Sequence, residues 1–164
     1  MARVLAASKP GGLLLNVEAP ELSFFLGDGM DITSQLVSVN SDPDVHAAAR
    51  QRLGDDIRIS VRAQHPVEFL GDVPDHRFDL VIFGELEPLA SRLAASSFAP
   101  GGLLAAFHQA PMNDGGGGQL GQTLTDCGLR VAPGVNRWLV AFRTADGGKA
   151  RRRGGQGKRS PVRR

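Results

Sequence analysis

Five apolar runs in this chain break into polar side chains that could bind or react. Leu13 to Val17 contains Asn16 and gives way to Glu18, and Leu36 to Val39 is followed by Asn40 and Asp42. The alternating stretch through Ile57, Ile59 and Val61 leads to His65, Phe78 to Phe83 runs into Gly84 and Glu85, and Leu103 to Phe107 runs into His108 and Gln109. Carboxylates at such positions accept hydrogen bonds from hydroxyls about twice as strongly as neutral amides do. An imidazole titrates near neutral pH, which makes His108 a candidate general base for taking a proton from an attacking group. The competing reading of His108 is a partly buried imidazole making one backbone hydrogen bond. His65, beside Pro66, is either a ligand contact or a solvated loop residue, and Asp42 with Pro43 also reads as a turn and helix cap.

Other clusters carry less chemistry. Gly115 to Gly118 lacks the Gly-Lys-Ser/Thr ending of a phosphate loop and does not directly follow a strand, so it reads as a connector. The single cysteine, Cys127, has no evident charged partner and reads as a core or boundary thiol. Trp138 reads as core.

The elements that must position these residues alternate between strands and helices. Ala2 to Lys9 makes a short helix stopped by Pro10-Gly11-Gly12, and Leu13 to Val17 is the first strand. Pro20 opens a helix whose apolar face is Leu22, Phe24, Phe25 and Leu26, ending at Gly27 and Gly29. Leu36 to Val39 is the second strand, Asp44 caps a helix over Val45, Ala48, Ala49 and Leu53, and Ile57, Ile59 and Val61 form the third strand. A short helical turn with Val67, Phe69 and Leu70 precedes the fourth strand, Phe78 to Phe83; a helix over Leu89 to Phe98 precedes the fifth, Leu103 to Phe107. Two apolar runs joined by an amphipathic helix imply parallel strands in an α/β sheet. A last helix carries Leu120, Leu124 and Cys127, and Leu129 to Val131 and Trp138 to Phe142 close the chain as a hairpin-like pair through Pro133-Gly134.

The runs FDLVIF and FAPGGLLAAF resemble the fourth and fifth strands of the class I S-adenosylmethionine-dependent methyltransferases, where fDlv and l.pGG.l are habitual. Leu36-Val37-Ser38-Val39-Asn40-Ser41-Asp42-Pro43 with Ala47 to Ala49 is most similar to the small-molecule O-methyltransferase type. The resemblance covers roughly residues 3 to 143. It implies a Rossmann-like seven-stranded sheet in the order 3-2-1-4-5-7-6, mostly parallel with the last strand antiparallel, and helices on both faces.

In an open α/β sheet the ligand lies at the carboxyl ends of the strands near the point where strand order reverses. The resemblance therefore assigns cofactor contacts to Asn16, Glu18, Asn40, Asp42, His65, Gly84 and Glu85; the catalytic role of His108 rests on its imidazole at the end of the fifth strand. At several of these positions the chain departs from the family pattern. The first loop, Asn16-Val17-Glu18-Ala19-Pro20, has no glycine, and a side chain at Glu18 could occupy the cofactor's path. Asn40 stands where the family has the carboxylate that binds both ribose hydroxyls, with Asp42 as a substitute. His65 stands for the acid that meets adenine. Gly84, His108 and Gln109 replace three oxygen ligands suited to Mg²⁺ or Ca²⁺, which argues against a metal-assisted reaction.

Composition separates a body from a tail. With 164 residues and 41% hydrophobic content the chain is long enough for one domain with a core. Eight of the nineteen basic residues fall in the last sixteen positions, so residues 1 to 148 hold eleven basic against seventeen acidic residues. We expect an α/β domain over residues 1–145 and a disordered basic tail over 146–164, the tail able to grip nucleic acid or an acidic partner in a salt-sensitive way. It has no aromatics to stack on bases. One cysteine fits a reducing, cytoplasmic setting, and no run is long enough for a membrane span or a signal core.

Two functions follow. One is S-adenosylmethionine-dependent methyl transfer to an oxygen of a small molecule; the other is a methyltransferase-like binding or scaffold module that no longer catalyses.

Overall fold

The computed structural model describes residues 1–75, 77–84, 88–107, 118–132 and 138–143. Its core is a seven-stranded sheet in the order β3-β2-β1-β4-β5-β7-β6. The strands are β1 (Leu13–Val17), β2 (Gln35–Asn40), β3 (Ile59–Ala63), β4 (Phe78–Phe83), β5 (Phe98–Phe107), β6 (Arg130–Val131) and β7 (Trp138–Phe142). The first five are parallel, and β7 runs antiparallel to both β5 and β6. Between them lie α1 (Ala2–Ala7), α2 (Pro20–Gly29), α3 (Pro43–Leu53), α4 (Pro66–Asp72), α5 (Pro88–Ser97) and α6 (Gly118–Asp126). This is the expected α/β fold and strand order.

The central strands are mostly apolar because both faces are covered, with Asn16 in β1 and Asp79 in β4 as polar interruptions. On one face Leu15, Val17, Val81, Phe83, Leu104 and Ala106 pack with Phe69 and Leu70 of α4, Ala94 of α5 and Leu124 of α6. Alternate residues Leu14, Leu36, Leu80, Ile82 and Ala105 point the other way, onto Leu5 of α1, Leu22 and Leu26 of α2, and Met30 just beyond that helix. From β1 the chain steps outward through α2, β2 and α3 to the edge strand β3, and α4 then carries it back to β4, beside β1. Strand order therefore reverses between β1 and β4.

Several boundaries differ from the sequence reading, each for a local reason. Ile57 is not in β3 and is 100% exposed, because Asp56 turns the chain through bonds from the Arg58 and Ile59 N–H groups. Phe98 does not end a helix. It is buried at the start of β5 and pairs with Phe78, after which Ala99 to Gly102 bulge out before Leu103 pairs with Leu80. Of the two residues read as the α3 cap, Asp42 and not Asp44 fills the role, with Asp42 Oδ1 accepting from the Asp44 and Val45 N–H groups at 2.8 and 3.3 Å. On α2, Leu22 and Leu26 are buried while Phe24 and Phe25 stay about half exposed. Helix α1 stops at Ala7, two residues short of Lys9. Trp138 is half-buried against Phe107, with ring centroids 5.1 Å apart. Residues 115–117, the Pro133-Gly134 turn and the tail lie outside the described residues. Among the described residues no helix is long and apolar enough to cross a membrane.

Candidate cofactor site at the carboxyl edge

Register brings the ends of three strands level. Val17 of β1 pairs with Val39 of β2 and with Phe83 of β4, so Glu18, Asn40 and Gly84 follow side by side at the reversal point. Backbone bonds continue past the strand ends: the Glu18 N–H donates to Val39 O at 3.0 Å and the Gly84 N–H to Val17 O at 2.9 Å. Only Glu18 and Ala19 separate β1 from α2, whose first residue, Pro20, suits a helix start.

Glu18 has φ +54°, the left-handed region that glycine enters freely and other residues seldom do. It is the one non-glycine residue with positive φ among the described residues. The family-like glycine is missing here, yet the backbone takes a glycine-type conformation. Part of the reason lies at the end of the neighbouring strand β4, where a Cβ on Gly84 would collide with the Glu18 carbonyl oxygen. Gly84 therefore admits the turn of the first loop, which explains glycine at this position without reference to metal binding.

The Glu18 carboxylate reaches from the end of β1 to the end of β2. Asn40 Nδ2 donates to Oε2 at 2.9 Å, and the Ser41 N–H donates to Oε1 at 2.8 Å. Asn40 Oδ1 in turn accepts from the Asp42 N–H at 2.9 Å, so the Asn40 amide is engaged at both ends. Glu18 itself is half-buried and Asn40 is buried. A carboxylate thus stands at the end of β2 even though residue 40 is an amide.

Asn16 lies two residues before Glu18 in β1, on the α2 face, and is fully buried. Its Nδ2 donates to Ala19 O at 2.7 Å and to Ser23 Oγ at 2.6 Å, and Ser23 Oγ meets Ser38 Oγ at 2.8 Å. Asn16 Oδ1 has no protein partner, an uncommon condition for a buried acceptor. Ser23, Ser38 and Ser41 were not among the site residues read from sequence; the signal that could have marked the first two is a hydroxyl inside an otherwise apolar face.

The remaining candidates stand apart or beyond the described residues. Asp42 directs its carboxylate to the α3 cap. His65 is exposed at the end of the edge strand, two strands from β1, where Nδ1 accepts the Val67 N–H at 3.4 Å and caps α4. Glu85, His108 and Gln109 lie outside the described residues. Phe83 pairs with Ala106, so the strand leading to His108 ends beside Gly84. Among the described residues no three His, Cys, Asp or Glu side chains form a metal-binding group. A cavity of about 400 Å³ lies instead between α2 and α3, lined by Pro20, Phe24, Val45, Ala48 and Arg52.

The acceptors present at these strand ends fit part of S-adenosylmethionine. The fixed Glu18 carboxylate suits nucleoside hydroxyls, and Asn16 Oδ1 is an acceptor in need of an N–H or O–H. The methionine side fits less well, since the two-residue loop has no glycine and packs its own carbonyl against Gly84.

Comparison with known proteins gives the fold a wider setting. No protein-family model matches the chain, and no curated protein matches it by sequence. Solved structures do match. A methyltransferase from Geobacter sulfurreducens is similar with a TM-score of 0.67 and 18% identity, over 88% of this chain and 76% of that one. An S-adenosylmethionine-dependent methyltransferase from Aquifex aeolicus is similar with a TM-score of 0.62 and 13% identity, over 81% of each chain. The [4+2]-cyclase SpnF is similar with a TM-score of 0.65 and 17% identity, over 79% of this chain and 55% of that one. At such identities the likeness concerns the fold, and a cyclase among the neighbours fits the rule that one fold hosts several reactions. The chain has the Rossmann-like fold of the class I methyltransferases.

Proposed function

We propose that this chain binds S-adenosylmethionine at the carboxyl ends of β1, β2 and β4 and acts as an O-methyltransferase on a small molecule. The observation that supports this best is the Glu18 carboxylate, held through both oxygens at the reversal point of a methyltransferase-type sheet. When bound, the cofactor supplies an electrophilic methyl group on a sulfonium. Asn40 and Ser41 orient Glu18 for the nucleoside, Asn16 offers its unpartnered oxygen, and His108, one residue beyond β5, takes the proton of the acceptor hydroxyl.

A second reading has its own support. The glycine-free connection between β1 and α2, with the Glu18 carbonyl against Gly84, favours a binding or scaffold module without catalysis. In either reading the basic segment after Ala145 attaches the domain to nucleic acid or an acidic protein through counterion release. Incubation with labelled S-adenosylmethionine and a panel of small hydroxyl acceptors separates the two readings. Label transfer that is lost in His108→Ala supports the enzyme; cofactor binding without transfer to any acceptor supports the module. Deletion after Ala145 should leave the thermal midpoint unchanged and abolish salt-dependent binding to RNA. A fall in the midpoint would make the segment part of the domain.

A further inference from the structure

We infer that Glu18, not residue 40, is the acid that reads the vicinal diol of the nucleoside, an inference that rests on the cofactor reading above. Its backbone is held where glycine would rest without strain, and such strain persists when surrounding contacts fix it. Three do so here: the N–H bond to Val39, the carbonyl packed on Gly84, and the carboxylate bonds to Asn40 and Ser41.

The side chain is equipped for the task. An ionised carboxylate has about four lone-pair sites, and Glu18 uses one on each oxygen for an N–H donor. One further site therefore remains on each oxygen, and the residue is half-buried, leaving part of it open to solvent. Two acceptors on one rigid, charged group match two adjacent hydroxyls. Rigidity matters because an acceptor already fixed by the protein loses little freedom when the ligand arrives. Its neighbours are committed elsewhere, the Asn40 amide to Glu18 and the Asp42 backbone, and the Asp42 carboxylate to the α3 cap.

The consequence is sugar specificity set by the first loop. Calorimetric titration of the wild-type chain and of Glu18→Gly with S-adenosylhomocysteine and with its 2′-deoxy analogue tests it. Glycine suits the positive φ, so the variant should fold, and circular dichroism with a thermal midpoint verifies this. Wild type should bind the ribose form at least about tenfold more tightly than the deoxy form, as expected for a hydrogen bond to a charged group, and Glu18→Gly should bind both equally. If the variant keeps the ribose preference, another residue reads the diol and the inference fails while the cofactor reading stands. Tighter binding of S-adenosylhomocysteine by Glu18→Gly than by wild type would make Glu18 an obstruction, which also overturns it. Binding by neither protein removes the cofactor reading and the diol role with it.

Discussion

The two edges of the same sheet treat polar groups differently. At the amino edge they are spent on holding the chain together. Asp79 Oδ2 takes the Leu13 N–H at 2.8 Å, tying the start of β1 to β4, and Lys9 Nζ donates to Gly101 O at 2.8 Å. Asp31 gathers the N–H groups of Gly11, Thr33 and Ser34 and the Thr33 hydroxyl. Asp56 and Arg58 bond at 2.6 Å; that hydrogen bond holds the Asp56 carboxyl below its ordinary pKa and raises that of Arg58. The exception among the described residues is Arg143 Nε, buried without a partner, although the same guanidinium donates to Ala95 O and lies over Phe98. At the carboxyl edge stand the strained Glu18 backbone, the unpartnered Asn16 oxygen and a carboxylate with acceptor capacity left over. Under the proposed reading, structural bonding at one edge stands against ligand binding at the other.

The largest expected effect comes from the residue that admits the strained loop. Gly84→Ala drives a methyl group into the Glu18 carbonyl and should cost roughly 3 kcal/mol in urea unfolding, with loss of ligand binding. A variant as stable as wild type would mean that the first loop moves freely, and the contrast between edges would weaken. Next comes Asp79→Ala, which leaves the Leu13 N–H without its acceptor. About 2 kcal/mol of stability should go while affinity for S-adenosylhomocysteine, measured on the folded fraction, stays the same. A change in affinity would show that the amino edge also serves the site.

Glu18→Gly should behave in the opposite way. Relief of backbone strain, of order 1–3 kcal/mol, offsets the loss of the bonds to Asn40 and Ser41, so stability should shift by no more than about 1 kcal/mol. A drop comparable to that of Asp79→Ala would mark Glu18 as a structural residue like those of the other edge.

The smallest effect concerns acid stability. Asp31 is held down to about 2, first by the Thr33 hydroxyl, then by the Thr33 N–H, with the Gly11 N–H and Ser34 hydroxyl adding and desolvation opposing. Because the folded value lies below the unfolded one of about 3.9, its contribution is complete above that pH and disappears as pH falls through about 2. Asp31→Asn should therefore flatten the acid limb of stability between roughly pH 4 and 2. A difference between the two proteins that stays constant across that window would contradict the assignment.

The sequence made the fold legible because parallel strands covered on both faces write near-continuous apolar runs such as Leu13 to Val17 and Phe78 to Phe83, each broken by a single polar residue. Asp42 as a cap was legible for a similar reason, since its hydrogen bonds reach only two and three residues ahead. What depends on distant chain was not. The conformation of Glu18 needs the absence of a side chain at Gly84, and the role of Asp79 needs Leu13 across the sheet. Sequence spacing put Ile57 in a strand because alternation looks the same whether or not a local Asp56 turn precedes pairing.

The central claim is that the carboxyl edge, with Glu18 at its centre, is a nucleoside cofactor site. Calorimetric titration of the full chain with S-adenosylhomocysteine at moderate salt tests it most directly. The expected result is micromolar binding of one ligand per chain. Absence of binding by wild type would contradict the claim.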